Sequence, residues 1–461
     1  MIACALVAGV VIWLAGSATP VLVPDSDSYL QFSPYRTASY PLFVRLVGLD
    51  FLVPAQLLSY ALGCAALGVA ALKLTGRLWL ALLLIAAVFV NPEVMSFQRS
   101  VVSEALFIPV LVVWLASLFL LVQHVSMRNA ALAGALAGLA ATVRPASYPI
   151  ILVALLAIWI GSRQAGFSKK IQIILICVLS WGSLVAAERL YSRAAHGAAL
   201  TSLAGPHIYA KASLIEAPPI ERKGLDSTEH VLTEAMEAEY ASVRKVLRQA
   251  DGTSVYPAML AHYEQCIQHR CTHRYRPSGA SASAEFNAAM GRVGTKRILQ
   301  RPLAFLPLAW EEYRALWVLG TRTHPDRARR FDDFIEASRP LPLEAHLPEL
   351  LHPTEPRSSA RFVGPAFVLI GVALAGITMI FGFIALRTPN RSNAVNTAFF
   401  SALTVQAVFV FTSVTGIGDG RYTMGMWPAI ASALVLAGAA LLELRKGPAA
   451  SQSLSNPQRS G

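Results

Sequence analysis

ALFIPVLVVWLASLFLLVQHVSM, residues 105–127, runs for 23 positions without an Asp, Glu, Lys or Arg. As a helix rising about 1.5 Å per residue it is about 34 Å long. The hydrocarbon core of a bilayer is about 30 Å thick, so this stretch spells a membrane-spanning helix.

Working outward, nine more windows lack charge: 1–24, 51–72, 78–92, 129–143, 145–162, 171–187, 362–386, 392–418 and 422–442. The whole chain of 461 residues is 55% hydrophobic and 14% charged, with mean hydropathy +0.51. Soluble domains carry about 25% charged residues, so a soluble enzyme, a disordered protein and a coiled coil are excluded. Five cysteines in this length exclude a disulfide scaffold. The pattern predicts an all-α integral membrane protein with about ten transmembrane helices, seven before one long polar segment and three after it.

Ten crossings put both termini on one side. The linkers on that side hold eleven Lys and Arg (73, 77, 128, 163, 169, 170, 387, 391, 445, 446 and 459) against one acid, Glu443. The other side holds 28 Lys and Arg against 26 acids. Basic excess marks the cytoplasmic face. The pI of about 9.7 therefore reports orientation, not nucleic-acid binding. The first window lacks a basic residue ahead of its apolar run, so it is read as an anchor, not a cleaved signal, and the true start can lie upstream.

This gives a module over 1–187 with an outer loop at 24–50, an extracytoplasmic domain over 188–361, three helices within 362–446, and a disordered cytoplasmic tail over 447–461. The outer segment carries 23 Lys and Arg and 20 acids. Its pattern is helical and loop-rich. Asp226 and Ser227 precede a helix over 227–250, and two more run over 285–300 and 303–318, broken at Pro302. Phe305, Trp310, Tyr313 and Trp317 suit either the membrane interface, which Trp and Tyr favour, or a domain core.

The cysteines divide by place. Cys4, Cys64 and Cys177 fall in membrane windows and are expected to pack. Cys266 and Cys271 fall outside the membrane, where a disulfide can form. With His269 and His273 they do not follow the usual zinc spacing. Gly134-x3-Gly138 suits close helix contact.

Charge at membrane depth is costly and usually faces a cavity. The windows 78–92 and 129–143 are short, about 22 Å as helix, which places Glu93, Arg99, Glu104 and Arg144 near the outer boundary. They either act there, pair with one another, or snorkel to the interface. The first outer loop reads Pro24-Asp25-Ser26-Asp27-Ser28-Tyr29, then Arg36-Thr37-Ala38-Ser39-Tyr40-Pro41. A carboxylate there can take a proton from an acceptor hydroxyl. Asp25 and Asp27 together can bind a divalent cation, or cap a helix start. The last outer loop, Gly416-Ile417-Gly418-Asp419-Gly420-Arg421-Tyr422, places an Arg suited to a phosphate, or is a plain turn.

Taken in order, these pieces resemble the GT-C superfamily of polytopic glycosyltransferases, near the bacterial relatives of protein O-mannosyltransferases and aminoarabinose transferases. Asp25-Ser26-x-x-Tyr29 resembles the family's acidic first-loop motif, and Arg36-x3-Tyr40-Pro41 the segment after it. Ser103-Glu104-Ala105-Leu106-Phe107 is similar to the start of the fourth helix. Gly138-Leu139-Ala140-x3-Arg144-Pro145 is similar to the end of the fifth, and Arg421-Tyr422 with Pro428 to a late loop. The resemblance covers roughly 1–190 and 415–430.

What it implies is transfer of a sugar from a polyprenyl-phosphate donor to a glycan, lipid or protein acceptor, on the outer face of the inner membrane, with inversion. Asp25 would be the general base, and Asp27 would orient the acceptor or hold a cation. Glu104 would position an Arg or acceptor hydroxyls. Arg144 and Arg421, with Arg99 or Arg36, would meet the lipid phosphate. Tyr29, Tyr40 and Tyr422 would line the substrate. Donors with one phosphate usually need no metal, so no cofactor is expected. A flippase of a lipid-linked saccharide would use a similar basic cavity without a base, though inverted repeats, a frequent sign of transporters, are not seen. A membrane scaffold would use 188–361 as a binding module.

Overall fold

The computed structural model describes residues 19–23, 25–238, 279–317, 358–387, 392–416 and 420–445. The first window through residue 18, Cys4, the Cys266–His273 run, the second half of 227–250, Asp419 and the tail 447–461 lie outside the described residues.

Among the described residues all regular elements are helical, apart from one isolated bridge between Val21 and Ser100. Two short helices, α1 (Ser26–Leu30) and α2 (Ser39–Val47), form the segment ahead of a longer one. The chain then enters α3 (Leu49–Thr75), which is stopped by Gly76 in the left-handed region that a helix end favours. Next come α4 (Leu78–Phe89) and α5 (Pro92–Gln98). The Asn91 side chain accepts the Glu93 and Val94 N–H groups, and Pro92 occupies the first helical position, so the chain restarts there. Glu93 therefore does not close the 78–92 helix. It sits exposed in the first turn of a separate short one.

The 105–127 window becomes α6 (Glu104–Gln123), and α7 (Met127–Val143) returns after a Ser126 cap. A 3-10 turn at Pro145–Ser147 leads into α8 (Ile150–Gly161). Then α9 (Phe167–His196) runs for 30 residues. The last charge-free window before the outer segment ends at 187, but the helix does not break there. Nothing between Glu188 and His196 opposes helix, so α9 continues past the apolar stretch.

Outside the bundle stand α10 (Ala204–Ser213), α11 (Ser227–Ala238), α12 (Ala280–Gln300) and α13 (Pro302–Trp317). Pro302 begins α13 at the position that tolerates proline best. Tyr209, Leu232, Met236, Phe286, Met290 and Val293 form a small separate core. The α13 aromatics differ in burial. Phe305 and Trp317 are buried, while Trp310 is 58% exposed. Trp317 packs on Phe409 at 4.7 Å, and the Tyr313 hydroxyl donates to Gln406.

The chain closes with α14 (Ser358–Arg387), α15 (Asn393–Thr415), α16 (Gly420–Gly425) and α17 (Trp427–Arg445). Among the described residues six helices (α3, α6, α9, α14, α15 and α17) are long and apolar enough to cross a membrane. Three more, α4, α7 and the stretch Pro145–Gly161, are apolar but shorter.

In lipid, helices associate through close packing, not through exclusion of water. Gly134 and Gly138 supply it. A Cβ on Gly138 would lie 2.8 Å from the Trp181 carbonyl oxygen, and one on Gly134 would collide with that of Cys177. So α7 and α9 meet backbone to backbone, with the Cys177 thiol fully buried beside them. Cys64 is likewise a buried free thiol. One continuous core joins α3, α6, α7 and α8 to α15 and α17. The start of α6, the end of α7, α1, α2 and α16 all meet at one end of it.

Candidate active site

That shared end is built from the first loop upward. The Val21 N–H donates to the Arg99 carbonyl at 2.8 Å, and the Val101 N–H to the Val21 carbonyl at 3.0 Å. The Ser26 hydroxyl donates to the Val101 carbonyl at 3.0 Å. These bonds dock the start of α1 against the segment ahead of α6. Farther on, the Thr37 hydroxyl donates to the Val143 carbonyl at 3.1 Å, and Ser39 to the Thr142 oxygen at 2.8 Å. The Ala38 N–H donates to a Glu188 carboxylate oxygen on α9 at 3.1 Å. The segment carrying Arg36 is thus fastened to α7 and to the C-terminal part of α9.

Between these anchors lies an alternating row of charges. Arg36 Nη2 donates to Asp25 Oδ1 at 2.7 Å, and Arg421 Nη1 to Asp25 Oδ2 at 2.8 Å. Arg421 also faces Glu104 Oε1 at 3.7 Å. Glu104 in turn pairs with Arg144 at 2.6 Å. Three guanidinium groups thus meet two carboxylates, leaving one positive charge in excess. Glu104 and Arg144 are buried, while the Asp25 and Arg421 side chains are 30% and 32% exposed. Burial alone would push the Asp25 carboxyl up. Arg421 and then Arg36 outweigh it and hold it below the ordinary carboxylate range. The row is closed on one side at Glu104 and open on the other at Asp25.

Aromatic rings fix the cations. The Arg36 guanidinium lies over Tyr29 at 4.3 Å, and that of Arg144 over Tyr422 at 4.2 Å. Arg36 also donates to the Tyr29 and Ser28 oxygens. The Tyr29 hydroxyl passes on to Ser103 at 2.9 Å, and Ser103 to Glu104 at 3.2 Å. Tyr40 is fully buried beneath, edge-on to Tyr29, with its hydroxyl donating to Gln56 at 2.9 Å. It supports the Tyr29 ring and does not touch the charges.

The structure therefore brings Asp25, Tyr29, Arg36, Glu104, Arg144, Arg421 and Tyr422 together. Asp27 does not join them. It is exposed in the first turn of α1. Residues two apart on a helix point to opposite sides, so Asp25 and Asp27 diverge instead of sharing a cation. Among the described residues no three His, Cys, Asp or Glu side chains gather as a metal site. Arg99 closes α5, where its backbone carbonyl accepts Val21.

Glu188 and Gln56 belong to this construction and were not singled out in the sequence, and Ser103 was marked only as part of the stretch 103–107, without a role of its own. Glu188 stood at the counted end of a window and looked like the first residue of the outer segment. Gln56 and Ser103 are neutral, so they carry no charge signal.

Fold and site together define a class: a helical protein with several membrane-length helices and a clustered polar site at one end. Among known proteins, no family model and no curated protein matches this chain. Among solved structures it is matched to the crystal structure of ArnT from Cupriavidus metallidurans bound to undecaprenyl phosphate. The identity is 13% and the TM-score 0.30, over 95% of this chain and 76% of that one. A likeness this slight carries no weight for function.

Proposed function

We propose that this chain is a membrane glycosyltransferase that moves a sugar from a polyprenyl-phosphate donor to an envelope acceptor on the extracytoplasmic face. One observation carries the reading. A partly exposed carboxylate, Asp25, stands in a cluster of guanidinium groups at the mouth of a buried ion pair. Sugar transfer from a lipid phosphodiester needs those two elements side by side, a base for the acceptor and cations for the departing phosphate.

In the proposed step the acceptor hydroxyl gives its proton to Asp25, and its oxygen attacks the anomeric carbon. The bond from that carbon to the phosphate oxygen breaks, and the electron pair leaves with the polyprenyl phosphate. Attack opposite the leaving group inverts the anomeric centre. Arg421 meets the leaving phosphate, and Arg144 backs it from below. Glu104 is a positioning residue that sets both guanidinium groups. One donor phosphodiester carries one negative charge, which equals the excess of the cluster. In this proposal Asp25, Glu104, Arg144 and Arg421 keep the roles that the family resemblance implies, whereas Asp27 is exposed and Tyr40 buried beneath Tyr29, and neither takes part in the step.

Both Asp25 oxygens are occupied by guanidinium donors before substrate arrives. A base in that state is a poor one. Donor phosphate competes with Asp25 for Arg421, so donor binding frees the carboxylate.

The test is mass spectrometry of polyprenyl-linked sugars and envelope glycans in a deletion strain, complemented with wild type or with Asp25→Asn. A sugar that is lost, returns with wild type and stays absent with Asp25→Asn supports the enzyme. Full rescue by Asp25→Asn removes the base and favours transport of the lipid-linked saccharide.

A further inference from the structure

Away from the charged end, α3, α6 and α7 leave a groove of about 380 Å³. Its floor is made of small side chains, among them Ala66, Ala70 and Ala116, and its rim of Leu62 and Leu132. The two rim leucines are 49% and 44% exposed, so the groove opens outward from the bundle. Its α6 residues run from Val113 to Leu120, 9 to 16 positions beyond Glu104. At about 1.5 Å per residue that is about 14–24 Å along the helix from the candidate active site.

The far end of the groove is polar in a single sense. Lys73, in the last turn of α3, lines it. The linker after α3 carries Arg77, the first turn of α7 carries Arg128, and neither the two adjoining linkers nor that turn holds an acid. Among the described residues no ion pair or hydrogen bond engages these three side chains. An apolar trough that ends in unpaired cations is complementary to a lipid tail under an anionic headgroup.

We propose that this groove binds an anionic phospholipid of the leaflet on the basic-linker side, with one acyl chain along Ala66, Ala70 and Ala116 and the phosphate on Lys73. The site is separate from the transfer chemistry and does not depend on it. The bound lipid fills the space that α7 leaves beside α3, and ties the α3 end to the α6–α7 linker.

The experiment uses the full chain in detergent, titrated with phosphatidylglycerol or with phosphatidylcholine of the same acyl chains, and read by native mass spectrometry. Wild type is expected to retain one phosphatidylglycerol per chain. Ala66→Phe, which fills the trough from a half-exposed position, is expected to lose it. Lys73→Gln alters an exposed side chain and leaves packing intact. It should keep a bound lipid while its preference for phosphatidylglycerol falls about fivefold, the worth of one cation near an anionic surface. Equal retention of the two lipids by wild type would overturn the proposal, as would unchanged phosphatidylglycerol binding in Lys73→Gln. Displacement by polyprenyl phosphate would reassign the groove to a prenyl tail. A photo-crosslinker at Leu132 should capture lipid; capture of residues 1–18 or of a second copy would give the groove to protein.

Discussion

Arg421 donates to Oδ2 of Asp25 at 2.8 Å from 396 positions farther along the chain. The two residues belong to opposite ends of the sequence, yet each limits what the other can do. Arg421 holds the carboxylate ionised and occupied, and Asp25 holds the guanidinium at the open side of the cluster.

Replacing Arg421 therefore changes two quantities at once. Arg421→Gln should lower kcat/KM by about 10²–10³-fold, with donor KM rising more than acceptor KM. The lost cation had pulled Asp25 down, so its removal moves the acid limb of the kcat/KM profile to higher pH. A loss of rate with the acid limb unmoved would show that Arg421 does not set the base.

Glu104 and Arg144 form the buried member of the row. Glu104→Gln leaves a buried guanidinium without its carboxylate and should destabilise the protein by about 3–5 kcal/mol. The double variant Glu104→Gln, Arg144→Met should be more stable than Glu104→Gln alone. Thermal unfolding in detergent reads both. Equal losses in the single and double variants would mean that the pair is not what holds this end of α6 and α7.

Glu188 touches no substrate in the proposed step and acts through the backbone of Ala38. Glu188→Gln keeps one oxygen acceptor but loses the charge that orders the Arg36 segment. Transfer should fall between roughly 10- and 100-fold in kcat, with donor KM nearly constant, because a small misplacement is enough. Glu188→Asp should recover part of the rate. A fall in melting temperature in proportion to the lost rate would point to a structural role instead.

Outside the bundle, burial and the nearby Lys211 ammonium push His207 on α10 down to about 3 from an ordinary value of 6.5. The unfolded chain takes up a proton between these two values and the folded chain does not. Folding stability is therefore complete above about pH 6.5 and declines as the pH falls toward 3. Unfolding measured at pH 7.5, 5.5 and 4.5 should show this decline, and His207→Gln should flatten it. The same slope in His207→Gln would assign it to another group.

The membrane helices were legible because the missing signal, charge, is missing over a length that bilayer thickness sets. Nine of the ten windows fall mainly on described residues, and each is helical there. The charged residues of the candidate site stood out for the same reason, since an Asp, Glu or Arg beside an apolar run is conspicuous. Other features had no such mark. Asp27 looked equivalent to Asp25 because the two are neighbours in sequence, and only the turn of α1 separates them. Glu188 was hidden by its own charge, which ended a window while the helix went on. Thr37, Ser39, Gln56 and Ser103 act through neutral hydrogen bonds, which leave no trace in hydropathy.

The wide separation of Asp25 and Arg421 also bears on biosynthesis. Asp25 directly follows the first apolar window in sequence, whereas Arg421 lies on α16, after α15. A nascent chain, or one cut short before α16, carries the carboxylate without the late guanidinium that completes the cluster. The proposed catalyst is thus assembled only once residue 421 has been made and placed, and partial products that stop short of it lack the complete cluster.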